Sequence, residues 1–227
     1  MNHPLDIFAT KGVEYLILIG FLGCLVVFWR LLSRERPQAA TAPAPVGHHR
    51  GWFELRDPLL YHPGHTWALP GKDGLFTVGM DDFAQKLLGE ADAVRLPEVG
   101  ASVEQGAPGW RMAVDGKDVD LLSPLDGIVM ARNEKVFGKP GLVNDDPYGE
   151  GWLLRVKPTR GKPNLVGLLG GDLARAWMGE TEDALRRRMS PELGLVLQDG
   201  GVPICGIAQA VAPDAWVDLA KDLLKTA

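Results

Sequence analysis

The segment from Trp110 to Leu121 constrains the fold more than any other part of the chain. Trp110, Met112 and Val114 alternate along it, and Val119 and Leu121 do the same beyond Asp115-Gly116. Apolar residues two apart line one face of a strand. An Asp-Gly pair between such runs is a hairpin turn, because the turn needs φ > 0 and Gly supplies it without steric cost. Turn signals also close Leu96-Pro97-Glu98-Val99-Gly100, lie between Val103 and Gly106, and recur at Asp126-Gly127 before Ile128-Val129-Met130. Leu96 to Leu154 therefore reads as short strands between tight turns. The spacing predicts a small, mainly β domain with Asp115-Gly116-Lys117 at an exposed hairpin tip.

The rest of the chain is organised around this domain. Its 227 residues suffice for one domain with additions. Charged residues make up 23% and the net charge is −5, so no general basic surface invites nucleic acid, and no nucleic-acid-binding motif is present. The cysteines, Cys24 and Cys205, lie far apart. They give neither a disulfide framework nor metal-ligand spacing, and a reducing compartment suits them. No Ser/His/Asp, Cys/His or paired-carboxylate arrangement suggests catalysis, so the chain is expected not to be an enzyme, with no catalytic residues.

Residues 1–12 form a short tail before a nearly continuous apolar run, Val13 to Leu32. Its length suits one helix across a bilayer, which takes about 20 residues. Tyr15 and Trp29 sit near its ends as interfacial anchors. A signal peptide would carry basic residues before the run; here Arg30, Arg34 and Arg36 follow it. The expectation is one retained transmembrane helix over residues 13–33, single-pass in an inner or cytoplasmic membrane, with the C-terminal domain in the cytoplasm. Residues 34–50 contain a Pro/Ala-rich linker, which should be extended. His48-His49 in it has no third ligand nearby, and no metal is expected.

Within the body, Trp52 and Phe53 are expected to pack inward. Leu75 to Gly79 reads as a strand. Asp81 to Gly89 reads as a short helix, with acids at its start and Gly at its end. Beyond Asn164 the pattern becomes helical, with Leu165, Leu168, Leu169, Leu173, Ala176 and Trp177 at helical spacing, although Gly170-Gly171 interrupts it. Arg186-Arg187-Arg188 reads as a helix end, and Ser190-Pro191-Glu192 as another helix start. Pro213 opens a last helix with Trp216, Leu219, Ala220, Leu223 and Leu224 on one face. The tail either packs back on the β domain or offers a docking surface; the sequence leaves both open.

Several motifs, in this order and spacing, resemble the glycine cleavage H-protein family. They are Tyr61-His62-Pro63-Gly64-His65-Thr66-Trp67, Val78 to Gln85, Leu88-Gly89, Leu96 to Gly100, Ser123-Pro124-Leu125-Asp126-Gly127, Leu142-Val143-Asn144 and Asp146 to Trp152. The resemblance runs from Tyr61 to about Pro158 and implies a lipoyl-type barrel-sandwich hybrid, a single hybrid motif, over residues 51–160, with residues 161–227 as a helical extension. It also implies that His65 packs and hydrogen-bonds. In that family the hairpin tip carries lipoate on the lysine of a Glu-Ser-Val-Lys-Ala motif. Counting forward from Gly106, or back from Ser123-Pro124, places Gly116 at that lysine position. The family's Glu, Ser and Val fall on Ala113, Val114 and Asp115, and Lys117 comes one residue late. A one-residue shift along a strand turns a side chain to the opposite face. The resemblance, this departure and the apolar N-terminal run together imply a membrane-anchored, H-protein-like subunit with a degenerate lipoylation site and no cofactor. It would bind or assemble protein subunits of a membrane complex. The alternative is a lipoyl carrier modified on Lys117.

Overall fold

A computed structural model describes residues 15–25, 28, 51–159, 163–189 and 205–226. The chain divides into two compact units, Met1–Ala44 and Pro45–Ala227. In the first unit, residues 15–25 form a helix, α1, whose large apolar side chains, from Tyr15 to Leu25, are all exposed. Among the described residues no helix is long and apolar enough to cross a membrane, and the remainder of the 13–33 run lies outside them. The linker at 34–50, His48-His49 and the helix start expected at Ser190 also fall outside the described residues.

Among the described residues of the second unit, nine strands form two antiparallel sheets. The strands β1 (Leu60–His62), β2 (Thr66–Pro70), β3 (Phe76–Met80), β5 (Ser102–Val103), β8 (Gly127–Arg132) and β9 (Leu154–Pro158) form one sheet in the order β1-β2-β3-β9-β8-β5. The strands β4 (Ala93–Arg95), β6 (Pro108–Val114) and β7 (Lys117–Leu122) form the other, in the order β4-β6-β7. Both sheets send their apolar rows into one core, where Val78, Met80, Met112, Val119, Leu121, Val129 and Val156 are fully buried. Each such side chain contributes about 1.5–3 kcal/mol relative to exposure.

The β1–β2 turn and α2 (Asp82–Leu88) are joined by a buried polar pair. Asp81 caps α2 by accepting from Ala84 N at 2.8 Å, and its other oxygen lies 2.9 Å from His65 Nδ1. Gly89 ends the helix at φ 90°, as the sequence predicts. Phe53 is buried against Phe83, in edge-to-face contact at 4.8 Å, and Trp52 packs partly buried against the core. Two short helices, α3 (Lys135–Gly138) and α4 (Leu142–Asp145), precede β9. Asn144 of α4 accepts from Ala91 N at 3.2 Å and donates to Gly89 O at 2.8 Å, tying the Leu-Val-Asn motif to the end of α2. Gly127 permits the close approach of β8 to β9: a Cβ there would sit 2.5 Å from Lys157 O.

The extension differs from its sequence reading at its start. The helix begins only at Gly171, as α5 (Gly171–Arg188), and residues 163–170 are not helical. The cause is tertiary pairing: Tyr61 and Leu169 exchange two backbone hydrogen bonds, both 2.8 Å, which extend β1. Helical spacing of the leucines cannot compete with an edge strand that needs a partner. Among the described residues two further helices follow, α6 (Ile207–Val211) and α7 (Trp216–Leu224), and both pack on the β domain. Of the two readings of the tail, packing back is the one observed for these helices.

Candidate functional site

The β6–β7 hairpin has the two-residue loop that the sequence predicts. Asp115 has φ 48° and Gly116 φ 69°, the pair of positive values that a type I′ turn requires. Nothing lies within 4 Å of a Cβ built on Gly116, so the space into which a side chain would start is open. Asp92, just before β4, braces the tip. Its N–H donates to Ala113 O at 2.9 Å, and its carboxylate accepts from Gly116 N at 3.1 Å.

The register decides where Lys117 faces. Val114 pairs with Lys117, Met112 with Val119 and Trp110 with Leu121. Directly opposed residues share a face, so Lys117 belongs to the inner row with Val119 and Leu121, both fully buried. Asp118 and Asp120 point the other way. On the outer face they pair with Arg95 and with Arg111, the Arg111–Asp120 contact being 2.7 Å. At the end of the inner row Lys117 stays exposed, and its ammonium lies over the Trp216 ring of α7, 5.4 Å from the centroid. Lys117 thus stands beside the turn and leans toward the C-terminal extension, whereas Gly116 occupies the turn itself. The sequence marks both residues but carries no local signal for the Trp216 contact.

A cleft of about 480 Å³ adjoins the tip, lined by Glu90, Asp92, Val114, Asp115, Cys205 and Gln209 among others. The Cys205 thiol is pushed above its ordinary range, first by loss of surrounding water and then by the charge of Glu90. Among the described residues no cluster of His, Cys, Asp and Glu could hold a metal ion.

His65 has the packing and hydrogen-bonding place that the resemblance implies. It is 1% exposed and stacked on Phe83 at 4.1 Å, with Trp177 at 4.7 Å on a tilted plane. Nearby, Tyr148 donates to Glu54 O at 2.5 Å and accepts from Asp82 N at 3.0 Å. Burial pushes the phenols of Tyr148 and Tyr61 well above their ordinary range, so both act as fixed neutral links. These groups hold the scaffold and leave the hairpin tip as the protruding chemical feature.

The sequence matches the family described as Glycine cleavage H-protein over residues 59–178, more than half of the chain. The glycine cleavage system H protein of Rubrobacter xylanophilus is 44% identical over 113 residues, covering 50% of this chain and 88% of that protein. The probable glycine cleavage system H protein of Aeropyrum pernix is 42% identical over 105 residues, covering 46% and 73%. The mitochondrial H protein of Pisum sativum is 40% identical over 121 residues, covering 53% and 72%. Among solved structures, the glycine cleavage system H protein from Mycobacterium marinum has a TM-score of 0.49 and 29% identity, covering 56% of this chain and 99% of its own. The family match over residues 59–178 makes the β domain a carrier-type module, with an exposed hairpin tip. The chain belongs to the glycine cleavage H-protein family, and like that family it is a non-catalytic carrier-type subunit.

Proposed function

We propose that this chain is a membrane-anchored member of the family whose hairpin is not lipoylated and whose carrier fold serves as a binding or assembly subunit of a membrane-associated complex. The observation that carries the reading is the hairpin tip. The turn position aligned with the family's lysine is Gly116, and Lys117, one residue on, leans over Trp216 instead of extending from the turn. A swinging arm needs an amine that projects freely, and this geometry disfavours one. Support for the anchor is the apolar run at 13–33 and the exposed apolar side chains of α1. The arginines after that run support a cytoplasmic C-terminal domain. The partners are protein subunits of the complex, with no nucleic acid among them.

One observation favours a second reading. Lys117 is exposed and adjoins the turn, so a lipoyl carrier modified there remains chemically sound. It would serve glycine cleavage or a related transfer.

The anchor and the assembly role are tested together by fractionation. The chain is expected in the membrane pellet after alkaline washing, and a chain lacking residues 1–44 is expected in the soluble fraction. In mild detergent the full chain is expected to migrate in a particle larger than itself plus its micelle. Recovery as a free monomer from its native host contradicts the assembly role.

A further inference from the structure

The helices α6 and α7 lie beyond the residues matched by the family, 59–178. Their contacts with the β domain are specific. Gly206 N donates to Lys86 O at 2.8 Å, and Gln209 Nε2 donates to Leu88 O at 2.7 Å. These carbonyls belong to the last turn of α2, where a helix leaves its acceptors without partners of its own. The helix α7 runs beside β7, the edge of the three-stranded sheet, and buries Trp216, Ala220, Leu223 and Leu224. An ion pair between Arg188 and Asp222 ties it to the end of α5.

Covering an edge strand is an ordinary structural task, and α7 performs it. The hairpin end shows more than that. Trp216, 3% exposed, is the first residue of α7 and lies against the one amine that the hairpin offers. Lys117 reaches it because the register places Lys117 on the inner row, toward α7, and not on the outer row with Asp118. A Cβ built on Gly116, in the turn itself, meets nothing within 4 Å.

We propose that the C-terminal extension is a latch on the hairpin. Trp216 holds one side of the exposed Lys117 side chain against the body, and an acylating enzyme or a partner that must surround this amine reaches that side only when α7 lifts from β7. The proposal rests on reading this hairpin as the counterpart of the family's carrier hairpin. It adds that access to the hairpin is controlled within the chain itself.

Competitive labelling of the full chain with a small amine-reactive acyl ester tests the latch without any lipoate. The rate at Lys117 is read by mass spectrometry against that at exposed Lys72. The cation–aromatic contact predicts a roughly two- to five-fold increase at Lys117 in Trp216→Leu, and little change in Trp216→Phe, which keeps a ring. Because Trp216 is buried, Asp222→Asn serves as the second variant: it releases the tie to Arg188 without touching the core. It is expected to raise both Lys117 labelling and hydrogen exchange over residues 216–224. Equal labelling of Lys117 in the unaltered chain, Trp216→Leu and Asp222→Asn overturns the latch. That outcome leaves the assembly reading intact, since it says nothing of whether cells modify the hairpin.

Discussion

Replacing Asp81 by alanine is expected to destabilise the β domain by about 2–4 kcal/mol. Asp81 is wholly buried and performs two tasks. One oxygen caps α2 through Ala84 N, a contact worth about 1 kcal/mol by itself. The other faces His65 Nδ1 at 2.9 Å. His65 is held by Phe83 and Trp177 and has φ 59°, so its ring cannot swing out to water when the carboxylate is removed. The result is a buried polar nitrogen without a partner, the costly side of hydrogen-bond accounting. Asp81→Asn keeps an acceptor for the cap and should cost visibly less. Chemical denaturation of the three proteins checks this order, and a loss under about 1 kcal/mol for Asp81→Ala contradicts it.

A loss of similar size, about 3–5 kcal/mol, is expected for Trp67→Ala. Trp67 is 1% exposed, and its indole lies flush on Gly79, where a Cβ would come within 2.7 Å of the ring. Its Nε1–H is shared between Met80 O at 2.8 Å and Pro147 O at 3.2 Å. The side chain thus fills core volume and also fastens the loop before β9 to the end of β3. Truncation leaves a cavity bounded by rigid strand backbone, which relaxes little. Hydrogen exchange should rise in residues 147–152 before it rises in the β6–β7 hairpin, which has its own pairing with β4. Uniform loosening of both segments would show that Trp67 has no such local role.

Local chemistry made much of this fold legible in the sequence. The hairpin follows from alternation around Asp115-Gly116, and α2 follows from its acidic start and terminal Gly89. The motif residues proved to be structural fasteners: Asn144 holds the end of α2, Tyr148 joins Glu54 to Asp82, and Gly127 lets two strands close up. Long-range pairing was not legible. The leucines before Gly170 have helical spacing, yet Leu169 is claimed by Tyr61, more than one hundred positions earlier in the chain. The contact of Lys117 with Trp216 is hidden for the same reason. Sequence spacing puts Lys117 next to the turn, and only the placement of α7 shows what its side chain meets.

The proposed function requires a hairpin that keeps the carrier fold without carrying lipoate. Intact mass of the chain isolated from its native host, with peptide mapping across Trp110 to Leu122, tests it most directly. The host must be shown to lipoylate its other carriers. The account predicts an unmodified hairpin, with Lys117 recovered as a free amine. A lipoyl-sized addition on Lys117 would contradict it and make the chain a working carrier.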